Sequence, residues 1–182
     1  MKYIDTSIPE VKIIEPTVFG DNRGFFMETF RVDEFTKNCS EKPFVQDNHS
    51  KSSHGILRGL HYQLKNTQGK LVRVTSGEVY DVAVDMRESS APFGQHVGVI
   101  LSGENKKQLW VPEGFAHGFY VMSESAEFVY KCTDYYAPEH EISLTWNDAN
   151  LAINWPLTNN QAPSLSAKDK NALSFNEAPK FT

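Results

Sequence analysis

From residue 70 to 86 the chain reads KLVRVTSGEVYDVAVDM, β-forming residues alternating with polar ones and broken once, at Ser76-Gly77. A period of two sends successive side chains to opposite faces of a sheet, so this stretch predicts two strands joined by a turn. Similar runs occur at 55–63, 95–101, 108–111, 118–122, 126–135 and 142–146, separated by Gly, Pro, Asn and Ser. Short strands with such breaks point to an all-β sandwich or barrel. Helical signals are confined to the ends, at 32–39 and after Ser166. The 182 residues contain no internal repeat, low-complexity tract or linker, so one compact domain over 1–182 is expected.

The net charge of −5 announces no basic surface for nucleic acid or an anionic membrane. Any anionic ligand must therefore be held by cations gathered locally. The two cysteines, Cys39 and Cys132, stand far apart and in no metal-ligand spacing, which reads as free thiols in a reducing compartment. The opening Met1-Lys2-Tyr3-Ile4-Asp5 has no apolar segment of signal-peptide length, and no later stretch is long enough to span a bilayer. A cytoplasmic location is the expectation.

Two segments carry the candidate chemistry. In Gly55-Ile56-Leu57-Arg58-Gly59-Leu60-His61-Tyr62-Gln63, a regular strand puts His61 and Gln63 on one face and Arg58 on the other. A bulge or close backbone approach at Gly59 would turn Arg58 toward the same side. Arg beside His suits a site that holds phosphate near a proton-transfer centre. The same residues read equally as a surface Arg and a core His bonded to a carbonyl. In Trp110-Val111-Pro112-Glu113-Gly114-Phe115-Ala116-His117-Gly118-Phe119, a Pro/Gly turn delivers His117 into an aromatic-rich strand, as ligand, proton handler or buried hydrogen-bonder.

Together the segments resemble the two motifs of the cupin superfamily of small β-barrels. Gly55 and His61 match the first, but Gln63 replaces its second His and Lys70 stands where its Glu belongs, ahead of Gly77. Pro112, Gly114 and His117 match the second. The departures are informative, because a lysine ammonium repels a metal ion and has no lone pair to give it. The barrel centre reads as an organic active site with a fixed positive charge, needing no metal and no cofactor.

That pattern resembles one cupin-like family over nearly the whole chain, the dTDP-4-dehydrorhamnose 3,5-epimerases. The likeness runs through Phe19-Gly20-Asp21-Asn22-Arg23-Gly24-Phe25-Phe26-Met27-Glu28 and Val45-Gln46-Asp47-Asn48-His49-Ser50, then 57–63, 69–74, 108–119, 130–136 and 165–169. It implies a cupin-type double-stranded β-helix, or jelly-roll barrel, with short terminal helices. It also implies inversion of C3 and C5 on a dTDP-linked 4-keto-6-deoxyhexose.

Epimerisation beside a ketone needs a base, a stabiliser for the enolate and an acid on the opposite face. The resemblance assigns the base to His61, its orienting carboxylate to Asp169, the enolate oxygen to Lys70 and the C5 proton donor to Tyr130. Each has an ordinary structural alternative; Asp169 in particular ends Ser166-Ala167-Lys168-Asp169, a capping-box pattern. For substrate binding the resemblance indicates Arg23, Glu28, Gln46, Asn48, Arg58, His117, Glu141 and Lys168. Phe19 and Phe26 are candidate partners for the thymine ring, or sheet-packing residues. It further implies a homodimer whose N-terminal strands complete the neighbour's site. The competing readings are a one-centre epimerase or ketoisomerase on the same nucleotide sugar, and a non-catalytic sugar-binding cupin. Lys70 in the metal-ligand position makes metal independence testable. Chelator-stripped protein should keep its full activity, and strict restoration by one added metal would reject the role given to Lys70.

Overall fold

The computed structural model describes all residues, Met1–Thr182. Its strands are β1 (Lys2–Asp5), β2 (Lys12–Glu15), β3 (Val18–Asp21), β4 (Gly24–Met27), β5 (Gln46–Ser53), β6 (Leu57–Gln63), β7 (Lys70–Ser76), β8 (Glu78–Asp85), β9 (His96–Ser102), β10 (Gln108–Val111), β11 (Phe115–Val121), β12 (Ser125–Cys132) and β13 (Glu141–Ser143). Helix α1 (Val32–Asn38) precedes β5, and the single turn α2 (Ala167–Lys170) follows β13.

One sheet has the order β1-β2-β10-β7-β12-β5, a second β13-β6-β11-β8-β9, and β3 pairs only with β4. Between β5 and β12 every connection crosses from one sheet to the other except the β8–β9 hairpin. The neighbour orders β5-β12-β7-β10 and β6-β11-β8-β9 are those of an eight-stranded jelly roll. The cupin-type double-stranded β-helix expected from the motifs is therefore the fold.

Strand alternation divides the apolar residues between two layers. Val79 and Ala83 of β8 face inward with Val72, Val74, Leu101, Leu109, Phe115, Val121 and Phe128. Tyr80, Val82 and Val84, one residue out of phase, face outward beneath Leu151 and Trp155 of the C-terminal segment. Across the larger sheet, α1 seats Phe35 edge-on against Trp110, with ring centroids 5.0 Å apart. No helix is long and apolar enough to cross a membrane.

The expected strands of the middle are all present, and Gly77 (φ +77°) makes the break between β7 and β8. Three differences have physical causes. Strands β1 to β5 carry no alternating apolar pattern of useful length; β5, QDNHSKSS, is held by pairing with β12 along its whole length. Strand β11 begins at Phe115, so His117 sits inside the strand rather than before it. The run at 142–146 stops being strand after Ser143, because Leu144 bridges Leu173 and the Thr145 N–H donates to the Leu173 carbonyl.

Where β6 meets β11, His117 faces His61 while Phe119 faces Arg58, two steps on one strand against three on the other. This bulge in β6 falls at Gly59, whose φ is +114°. A Cβ on Gly59 would lie 2.6 Å from the Gly118 Cα, and one on Gly118 would lie 2.7 Å from the Arg58 carbonyl oxygen. Both strands need glycine to come this close. Gly59→Ala should lower the free energy of unfolding by about 2 kcal/mol or more, from strain and overpacking together. Chemical denaturation reads that loss, and wild-type stability in the variant would show that the crossing relaxes at little cost.

Candidate functional site

A cavity of ≈ 890 Å³ opens between the two sheets. Inward positions of five strands supply its wall: Gln46, Asn48 and Ser50 of β5, Arg58, His61 and Gln63 of β6, Lys70 of β7, His117 of β11, and Phe128 and Tyr130 of β12. Glu141 of β13 and Lys168 and Asp169 of α2 close one side. The bulge at Gly59 has the consequence the sequence suggested, since Arg58 joins His61 on the cavity wall and donates from Nε to Ser52 Oγ at 2.9 Å.

His61 Nε2 lies 2.5 Å from Asp169 Oδ1. Asp169 also accepts from the Ser166 hydroxyl at 2.8 Å, and its own N–H donates to Ser166 Oγ at 3.1 Å. Ser166 thus caps the turn and the Asp169 carboxylate serves both partners, one oxygen accepting from the Ser166 hydroxyl and the other meeting the imidazole. The bond to the Ser166 backbone N–H that would complete a capping box is not made. Burial works to raise the Asp169 pKa, but the bonds from His61 and Ser166 and the nearby Lys168 outweigh it and hold the carboxyl below the usual range. An ionised Asp169 accepts from Nε2–H, which leaves the lone pair of a neutral imidazole on Nδ1. Glu141 Oε1 is 3.8 Å from that Nδ1. Glu141 Oε2 accepts from Lys168 Nζ at 2.7 Å and from the Tyr136 hydroxyl at 2.9 Å.

Lys70 and Tyr130 project from the opposite sheet to His61. Burial pushes the Lys70 ammonium below its ordinary range, while Cys132, Glu141 and Asp81 pull it back up. Burial, reinforced by Cys132 and Glu141, pushes the Tyr130 phenol up to about 12. It is a protonated hydroxyl at neutral pH, available as an acid. Beneath it Phe119 and Phe128 stack with centroids 4.3 Å apart, an apolar floor. His117 Nε2 is 2.9 and 3.0 Å from the two oxygens of Asp81, a carboxylate with no solvent exposure.

Gln63, in the place of the second cupin His, is committed to the backbone. Its amide N–H groups donate to the carbonyls of Asn66 at 2.6 Å and Tyr135 at 3.2 Å, and its oxygen accepts from the Ala137 N–H at 2.9 Å. Four of the residues singled out in the sequence do not reach this cavity. Phe19, Arg23 and Phe26 lie on the β3–β4 hairpin, and Glu28 just beyond it, all exposed. Phe19 and Phe26 are 62% and 66% exposed, and Arg23 pairs only with Asp21. Sequence reasoning passed over Asp81, Ser52 and Tyr136. Asp81 had a visible signal: it shares the inward phase of Val79 and Ala83, and a charge at a core position needs a partner.

A family model described as dTDP-4-dehydrorhamnose 3,5-epimerase matches residues 5–177. A Pseudomonas aeruginosa dTDP-4-dehydrorhamnose 3,5-epimerase is 56% identical over 182 residues, covering 100% of this chain and 99% of that protein. A Neisseria gonorrhoeae protein of the same description is 59% identical over 180 residues, 99% of this chain, although the chain spans only 54% of that longer relative. Among solved structures, a Legionella pneumophila dTDP-6-deoxy-D-glucose-3,5-epimerase in complex with dTDP-4-keto-L-rhamnose superposes with a TM-score of 0.94. It is 56% identical, with 98% of this chain and 94% of that one covered.

The lowered Asp169 pKa fixes the sign of a pH effect. Its contribution to stability is complete above the ordinary aspartate value of about 3.9 and is lost as the pH falls through its own lower native value. Asp169→Asn keeps a cap acceptor but removes the charge. The stability gap between wild type and variant should be largest near neutrality and shrink below about pH 4. A gap that stays constant down to acid pH would remove the ionic part of the His61–Asp169 bond.

Proposed function

The chain belongs to the dTDP-4-dehydrorhamnose 3,5-epimerase family, and from that premise we propose that it inverts C3 and C5 of dTDP-4-dehydro-6-deoxy-D-glucose, giving dTDP-4-dehydro-L-rhamnose. One observation carries the reading: an imidazole oriented by a buried carboxylate on one sheet faces a protonated phenol and an ammonium on the other. A hexose ring between the sheets would meet its base on one face and its acid on the opposite one.

In this reading neutral His61 takes the proton α to the C4 ketone, and the C–H electron pair passes into an enolate. Asp169 stabilises the imidazolium so formed. Lys70 faces the enolate oxygen, where a charge removed from water is worth more than one in bulk solvent. Tyr130 returns a proton to C5 from the far side. Water in the cavity supplies the proton that returns to C3 and restores the Tyr130 hydroxyl. Each inversion removes one proton and returns one with no change of oxidation state, so the chemistry needs no redox partner. Arg58 is suited to fork onto the pyrophosphate, with Gln46, Asn48, His117, Glu141 and Lys168 as further contacts.

The exposed hairpin fits the same scheme. Phe19, Arg23, Phe26 and Glu28 face away from their own cavity, so we assign them to the site of a second copy, the chain acting as a homodimer built from one domain over residues 1–182. There the two aromatic rings are available to the thymine base and Arg23 to the pyrophosphate. The unpaired thiols of Cys39 and Cys132 fit a reducing, cytoplasmic setting.

The test is incubation with the nucleotide-linked 4-keto sugar in D₂O, reading C3 and C5 by NMR, for wild type and Tyr130→Phe. Wild type should take up deuterium and invert at both centres. The Phe variant keeps the ring packing and should still exchange at C3, with inversion at C5 reduced on the order of 10²–10⁴-fold. Full C5 inversion by the variant would assign the acid elsewhere, and exchange at one carbon alone in wild type would make the protein a one-centre epimerase.

A further inference from the structure

A base that serves two carbons during one visit of the substrate must be discharged between them. On the proposed reading, each deprotonation leaves His61 as an imidazolium that cannot act again until it loses a proton. Asp169 is badly placed to take that proton onward. Its side chain is 3% exposed, and its remaining oxygen is occupied by the Ser166 hydroxyl. A proton handed to Asp169 has nowhere further to go.

The other edge of the ring is different. Glu141 Oε1 lies 3.8 Å from His61 Nδ1, the nitrogen that would receive the substrate proton, and makes no hydrogen bond of its own. Its partner oxygen Oε2 is pinned by Lys168 Nζ at 2.7 Å and the Tyr136 hydroxyl at 2.9 Å. Both of those groups reach the surface: Lys168 is 47% exposed at its side chain and Tyr136 is 52% exposed. Glu141 is thus fixed at one oxygen, free at the other, and placed between the base and solvent. Its backbone pairs with Gln63 two residues along β6 from His61, which holds the separation steady.

We propose that Glu141 is the proton relay that resets His61 between the two inversions. This rests on the epimerase reading above and adds a step to it. The substrate C–H bond breaks, its electron pair entering the enolate and its proton going to Nδ1. The imidazolium then gives that proton to Glu141 Oε1 and recovers the Nδ1 lone pair. The neutral Glu141 carboxyl passes it to water at the cavity mouth and returns to carboxylate. Lys168, Tyr136 and His61 hold this carboxyl below its ordinary range against the effect of burial, so the protonated form is short-lived. That suits a group that passes a proton on rather than storing it. From the larger sheet the Lys70 ammonium and the neutral Tyr130 hydroxyl line the same cavity without bonding Glu141, whose hydrogen bonds come from Tyr136 and Lys168.

The test is pre-steady-state mixing of enzyme with the dTDP-linked 4-keto sugar. Glu141→Gln keeps the size and the acceptor for Lys168 and Tyr136 but cannot be protonated at that oxygen. It should give a burst of one deprotonation per active site, then a steady rate about 10²-fold below wild type. Glu141→Ala, which opens space for a small carboxylate, should regain turnover with added formate and not with chloride. Equal loss of burst and steady rate in the Gln variant, with no formate response in the Ala variant, would overturn the relay and leave Glu141 as a binding group. If wild type itself exchanges neither carbon, the epimerase reading fails instead, a result distinct from both.

Discussion

Three of the cavity groups, Lys70, Tyr130 and His117, hang from strands whose next inward neighbours close the hydrophobic core. Lys70 shares its face of β7 with Val72 and Val74, Tyr130 its face of β12 with Phe128, and His117 its face of β11 with Phe115 and Phe119. Packing the two sheets is the dominant stabilising event, and the apolar end of the interior secures the polar end. A side chain of the site cannot drift without moving a strand that the core holds in register. The rigid, preorganised placement that proton transfer requires is therefore a by-product of burial.

The polar end has its own electrostatic logic. A chain of net charge −5 gathers Arg58, Lys70 and Lys168 around a single cavity and answers them with Glu141 and the buried Asp169 on one side and Asp81 behind. The cations face where an anionic nucleotide and a developing enolate would lie. Each carboxylate is tied to a named donor, so none competes for that space as a free negative charge. Buried ionic groups of this kind cost stability unless they are fully bonded, and no buried side-chain polar atom in the structure lacks a partner.

The parts of this arrangement differed in how far the sequence disclosed them. The middle strands were legible because one face of each is apolar for core reasons alone, and 108–111 matches β10 residue for residue. Strand β5 was invisible for the opposite reason: Gln46, Asn48 and Ser50 line the cavity and Ser52 accepts from Arg58, so polar side chains take the inward positions and erase the alternation that marks a strand. Asp169 shows a different ambiguity. Its local pattern announces a helix cap, and only the fold reveals that the same carboxylate also meets His61, more than a hundred residues earlier. The reach of Arg58 was open until Gly59 was seen to make the bulge. The hairpin residues Phe19, Arg23, Phe26 and Glu28 share no cavity with the rest, which no local pattern could have told.

The position of α2 bears on how the site is held together. The jelly roll is complete at Cys132, and His61, Lys70 and Tyr130 are all in place within it. Asp169 arrives only with a later segment, stitched to the smaller sheet by the Ile56–Ser164 and Leu144–Leu173 bridges. In chain order, the eight strands that place His61 all precede the segment that brings Asp169 against it. The His61–Asp169 contact thus depends on a segment outside the eight-stranded jelly roll, and loosening that segment would part the pair while leaving the strands that carry His61, Lys70 and Tyr130 paired as they are.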